Sequence, residues 1–214
     1  MEIEKSLLLQ RQMIRILFTF FLVLFWTHLS ANDANRFSII VSETNTMQGD
    51  FHQTVVDLQG DIIQEVDGNF YFKKPNMFKW NYKKPFKNQI ISDGEILYLY
   101  DPELKQVIVS PLKKLGGASP AMLLVSDKAR DYFVIEEIDR EGNIWFRATP
   151  KNLEMTTFKK IEIFFNKQKI SVMEVLDNFD YTTTIVFKDV VNNSKINNAF
   201  FLFNTPDDVD VIKN

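Results

Sequence analysis

Residues 68–111 read GNFYFKKPNMFKWNYKKPFKNQIISDGEILYLYDPELKQVIVSP. Phe78, Trp80 and Tyr82 alternate with Lys79, Asn81 and Lys83. That period of two predicts a strand with one buried face. Lys74-Pro75-Asn76 and Asp93-Gly94 interrupt the pattern, and both are turn signals. Asp101-Pro102 ends the next apolar run, and 105–110 starts another. The stretch is therefore a series of short antiparallel strands joined by tight turns.

The same rhythm extends outward. Upstream, Phe51, Gln53 and Val55 alternate with His52 and Thr54. Before them, Phe37, Ile40 and Val41 in residues 33–45 have the three-to-four spacing of one amphipathic helix. Downstream, strands are expected at 132–138, 144–148, 158–165, 170–176, 181–190 and 199–203. Two breaks carry helical signals. In the first, Ser119-Pro120 opens a nearly all-apolar stretch, Ala121–Val125, as N-cap and first-turn proline. The second, 149–157, has room for a short helix. The expectation is a mainly β domain of about eleven strands in a meander. Such a sheet coils towards an incomplete, half-open antiparallel barrel. The short helices are enough to lie over one opening as a lid.

Composition narrows the chemistry. The chain has 214 residues, 25 Lys+Arg, 28 Asp+Glu, two His, 20 Phe and no Cys. Disulfides, thiolate metal sites, a cysteine nucleophile and an acylated N-terminal cysteine are excluded. A net charge of −3 gives no case for nucleic acid. Residues 14–26 are apolar apart from Arg15 and Thr19, with Lys5 and Arg11 before them and Leu29-Ser30-Ala31 after. This reads as a signal peptide cleaved after residue 31, with Met13 as an alternative start. The competing reading, an uncleaved anchor, needs a longer apolar core, roughly 20 residues. Residues 32–214 are then a single exported domain, expected in the periplasm.

No catalytic constellation stands out. His52 is the one histidine after the signal segment, and it sits mid-strand with no G-x-S-x-G nucleophile anywhere. Its expected place is a solvent-facing strand position. Asp207, Asp208 and Asp210 match no calcium-loop spacing and read as a solvated acidic turn. No enzyme activity, metal or cofactor is expected. Binding has more support, because several strands carry large apolar groups on both faces. Leu97 and Leu99 oppose Ile96, Tyr98 and Tyr100, and Ile161, Ile163 and Phe165 oppose Phe164. One face can pack under the helices. The other either fills a core or lines a cavity for an apolar ligand, with Met77, Met122, Met155 and Met173 as adaptable surface.

The stretch 68–111 resembles the LolA family of periplasmic outer-membrane lipoprotein carriers. The shared elements are K-[KR]-P-N-x-F-x-W at 73–80, Ser92-Asp93-Gly94, and the strand ending Tyr100-Asp101-Pro102. Phe51-x-Gln53 upstream, Pro120-x-Met122-Leu123-Leu124, and the ending Phe201-x-Phe203-x-x-Pro206-x-x-Val209-x-Val211 extend the likeness over residues 32–214. Two positions depart from it. Lys74 stands where many members have an arginine linked to lid closure, and Asp208 where glycine is common. Lysine keeps the charge but lacks the planar donor fork.

The resemblance implies a half-open barrel whose helices cover an apolar cavity, in a monomer carrying one cargo. It implies that Phe51, Phe78, Trp80, Met122, Leu123 and Leu124 line the acyl-chain cavity and that Lys74 bonds the lid at its rim. It also implies triacylated lipoproteins as cargo, an inner-membrane ABC exporter as donor and an outer-membrane receptor lipoprotein as acceptor. A half-barrel binding another lipid or a signalling partner is the alternative. A hydrolase using His52 is a third reading.

Overall fold

Alternation along the strands becomes alternation between two faces of one sheet. The computed structural model describes residues 33–115, 120–126 and 128–213. The expected signal segment and Ser119 lie outside the described residues, as does the Met155 side chain. Helix α1 (Asp33–Glu43) leads into strands β1 (Thr46–Val56), β2 (Ile62–Lys73), β3 (Met77–Lys84), β4 (Gln89–Asp93), β5 (Ile96–Asp101) and β6 (Gln106–Pro111). Two one-turn helices follow, α2 (Met122–Val125) and α3 (Ala129–Tyr132). The chain then forms β7 (Phe133–Arg140), β8 (Asn143–Pro150), β9 (Phe158–Asn166), β10 (Lys169–Asp177), β11 (Thr182–Asn192) and β12 (Asp210–Lys213). Phe37–Asn214 form one compact unit.

The twelve strands form one open sheet in the order β12-β6-β5-β4-β3-β2-β1-β11-β10-β9-β8-β7. This is an incomplete barrel, but not a single meander. Two meanders, β1–β6 and β7–β11, join where β1 pairs with β11, from Met47 opposite Asn192 to Val56 opposite Thr182. β12 then adds parallel to β6. Strand β2 is longer than expected, beginning at Ile62 rather than near Asn69. The expected strand at 199–203 is a 3-10 turn, Asn198–Phe201. The Asn197 side chain accepts from the Ala199 N–H at 3.0 Å and folds the backbone over.

The inner face carries the main core. Met47, Phe51, Phe70, Phe72, Phe78, Ile161, Ile163, Met173, Ile185 and Phe187 are buried there. Phe37 of α1 packs on Phe146 at 5.4 Å and Phe165 at 6.2 Å between ring centroids. The outer face of β2–β6 has a second apolar layer. The segment after β11 crosses it against β3 and β4, burying Phe201 and setting Phe200 against Tyr71 and Phe203 against Tyr98 and Tyr100. The outer face of β8–β10 is charged instead. There Glu162 is nearly buried between Arg147 (2.8 Å), Lys160 (2.9 Å) and Arg140 (3.0 Å).

Two glycines let the sheet bend and pack. At the irregularity of β1 against β11, a Cβ on Gly49 would meet the Lys188 carbonyl oxygen at 2.7 Å. On β2, a Cβ on Gly68 would overlap the Phe51 ring, which lies across it.

Candidate functional site

From β4 to β10 the sheet spans five inter-strand spacings, roughly 24 Å if flat. Yet Ile90 of β4 and Met173 of β10 line the same cavity of about 290 Å³. The sheet must therefore curl around it. Phe72, Phe78, Trp80, Tyr82 and Ile90 form one wall. Met173, Val175, Thr183 and Ile185 form the other, with Gln53 of β1 between them. Pro120 and Ala121, just before α2, close it from above. The apolar floor continues over Ile90 to Leu99 and Ile108, where a neighbouring cavity of about 280 Å³ shares Tyr82 and Ile90.

Each expected site residue has a definite place. Phe78 and Trp80 are on the cavity wall, two residues apart on the inner face of β3. Phe51 stands behind that wall, stacked on Trp80 at 4.1 Å and edge-on to Tyr82 at 5.7 Å. Leu123 and Leu124 are packed into the core, 0% and 4% exposed. Met122 lines a different cavity, of about 580 Å³, with Asn76, Glu95, Lys113 and Lys128. That larger cavity has charged walls at the opposite end of the strands, so the smaller, aromatic one is the better apolar site. From the stretch before and within α2, it is Pro120 and Ala121 that reach the aromatic cavity.

Lys74 lies in the β2–β3 turn, where its Nζ donates to the Val41 carbonyl of α1 at 2.8 Å. Helix α1 has no basic residue in its own last turn, so this ammonium supplies the cation favoured at a helix C-terminus. Two residues on, the Asn76 N–H donates to Val125 of α2 at 3.1 Å. One short turn thus bonds to both α1 and α2.

Sequence reasoning passed over Phe72, Tyr82 and Ile90 as wall residues, although each continues an inner-face alternation. Gln53 was in a quoted motif but had no role. Met173, Thr183 and Ile185 reach the cavity only through the β1–β11 pairing, which no local pattern encodes. His52 sits on the outer face of β1, its Nδ1 2.9 Å from Asp67 and its Nε2 3.7 Å from Glu65. That hydrogen bond holds the Asp67 carboxyl below the usual carboxylate range.

A curled, unclosed antiparallel sheet around a cavity lined largely by aromatic and aliphatic side chains defines the class: a half-barrel. A family model, outer membrane lipoprotein carrier protein LolA, matches residues 42–204. The chain belongs to the LolA family. It is 36% identical over 184 residues to an outer-membrane lipoprotein carrier protein of Methylobacillus flagellatus, covering 85% of this chain and 89% of that one. Against the protein of the same name from Nitrosospira multiformis it is 38% identical over 198 residues, covering 91% and 95%. Among solved structures, an uncharacterized conserved protein of Thermus thermophilus shares the fold with a TM-score of 0.52 and 12% identity, covering 85% of this chain and 99% of that one.

Proposed function

We propose that this protein is a periplasmic carrier of outer-membrane lipoproteins. In this reading it takes triacylated cargo from an inner-membrane ABC exporter and hands it to a receptor lipoprotein at the outer membrane. The supporting observation is the aromatic-walled cavity between β3 and β10, in a family whose members are named for lipoprotein carriage. Each acyl CH₂ left in water costs about 0.8 kcal/mol. Three long chains therefore cannot cross an aqueous space unshielded.

A cavity of about 290 Å³ sits at the bottom of the range that holds a drug-sized ligand. Three chains need more, so loading requires the Pro120–Ala121 cover to move. That cover leads into a one-turn helix, too short to be stable by itself. Its attachment includes a single backbone bond from Asn76. The neighbouring floor of Leu99 and Ile108 offers further apolar surface once it opens. The sequence has no P-loop, so transfer runs on differences in affinity along the route.

The test is release of newly made lipoproteins from inner-membrane spheroplasts by purified protein. A soluble one-to-one complex is expected. Ala121→Phe, which puts a ring into the cavity, should fold but release little cargo. Cargo retained in the membrane by the wild-type protein, with a working exporter, would refute the carrier reading.

A further inference from the structure

We propose that Gln53, Trp80 and Tyr82 form a polar patch in the cavity wall that binds the carbonyl oxygen of an acyl chain, so that the site selects ester- or amide-linked chains over bare hydrocarbon. This rests on the reading of the cavity as an acyl-chain site. Most of the wall is hydrocarbon, and a polar group placed there without a partner is costly. The buried Trp80 Nε1 makes no well-formed hydrogen bond, although the Tyr82 hydroxyl lies near it. An indole nitrogen can only donate, so what it lacks is a well-placed acceptor. Beside it, the Tyr82 hydroxyl is 3.5 Å from Gln53 Oε1, well beyond the usual O–H···O separation. Burial raises the Tyr82 phenol above its ordinary range, while the nearby Trp80 N–H pulls the other way. The phenol therefore keeps its proton at neutral pH.

Under-satisfied polar groups thus gather on one wall of the cavity, which Gln53, Trp80 and Tyr82 line. A methylene chain offers them nothing, whereas an acyl chain brings one carbonyl oxygen at its head. The placement also sets a direction. Along β3 the inner face runs Phe78, Trp80, Tyr82, about 13 Å from the first to the last. The patch is at the β3–β4 loop end, so the carbonyl lies there and the tail runs towards Phe78 and Phe72. Gln53, quoted in the Phe51-x-Gln53 motif, gains a role that packing alone does not give it.

The experiment is displacement of an apolar fluorescent dye from the purified protein by three neutral probes. These are methyl palmitate, N-methylpalmitamide, and methyl hexadecyl ether, which lacks the carbonyl. The wild-type protein should bind the ester about tenfold more tightly than the ether, the worth of one neutral hydrogen bond. Tyr82→Phe and Gln53→Leu should each shrink that ratio. Amide binding equal to the ester would show that the carbonyl alone is read. Ester above both would confine the patch to ester-linked chains. Equal wild-type affinity for ester and ether overturns the proposal and leaves the carrier reading intact. Binding of none of the probes overturns both. Should Tyr82→Phe not fold, Gln53→Leu and the wild-type ratio decide; a ratio unchanged in the folded variants refutes the assignment.

Discussion

Gly68→Ala puts the packing behind the cavity wall under direct strain. The added methyl would lie 2.2 Å from the Asn81 carbonyl oxygen and 2.3 Å from Cζ of Phe51. Neither neighbour can yield cheaply. Asn81 is in β3, where its pairing with Asn69 fixes the register of β2 against β3. The Phe51 ring is held by Trp80 on its face and Tyr82 at its edge. Overpacking of this kind costs about 1–3 kcal/mol, and two overlaps, one with backbone, put this case near 3. For a domain of this size each kcal/mol moves Tm by about 2–4 °C, so a fall of about 6–12 °C is expected in calorimetry. A cycle with Phe51→Ala separates the two overlaps. Removing the ring should relieve part of the penalty, giving a coupling above about 0.5 kcal/mol. A Gly68→Ala protein melting within a degree of wild type, or strict additivity in the cycle, would refute the packing argument.

Two further predictions concern charge. Burial pushes the Glu162 carboxyl up, but Lys160 and Arg147 outweigh it and hold it below the usual value. A depressed folded-state pKa contributes stability above the unfolded value, about 4.3, and loses it as pH falls through the lower folded one. Glu162→Gln should therefore cost about 1 kcal/mol near pH 7 after solvent screening of its partly exposed partners. In urea midpoints the deficit should shrink steadily as pH falls below the unfolded carboxylate value; one that stays constant with pH is not electrostatic. Lys74→Met removes the bond to Val41 and should cost about 1.5 kcal/mol, with faster amide exchange in the last turn of α1. Lys74→Arg should retain most of that protection, and equal exchange in both variants would sink the argument.

Much of this fold was legible where the signals are local. Asp93-Gly94 makes the tight turn it announces, with Gly94 at φ 105°. Lys74-Pro75-Asn76 does the same, with Asn76 at φ 59°. Alternation correctly sends Ile161 and Ile163 inward and Phe164 outward, where it stacks on Trp145 at 5.3 Å. Alternation assigns a residue to a face, however, and says nothing of which strand lies beside it. The β1–β11 and β6–β12 pairings were invisible for that reason, and with the first of them the place of Val175, Thr183 and Ile185 on the cavity wall, whereas Met173 was legible as adaptable apolar surface. Phe78 and Trp80 were readable because motif and period agree. Leu123 and Leu124 sit on a helix apolar all round, a pattern that fits a buried helix as well as one facing cargo. At 199–203 a strand-like composition yielded to one asparagine cap.

The pairing of β1 with β11 has a consequence for how the chain reaches its folded state. Met47 must find Asn192, and Gln106 must find Asp210, before either meander has its full set of neighbours. Contacts between such distant residues form slowly, because a long loop must close before any bond rewards it. The first meander emerges from synthesis with the free edge of β1 exposed, and no residue before 182 can cover it in the native way. A nascent chain in this condition stays unfolded and open to aggregation for as long as its later half is missing. The fold therefore completes only after residues 182–213 have been made.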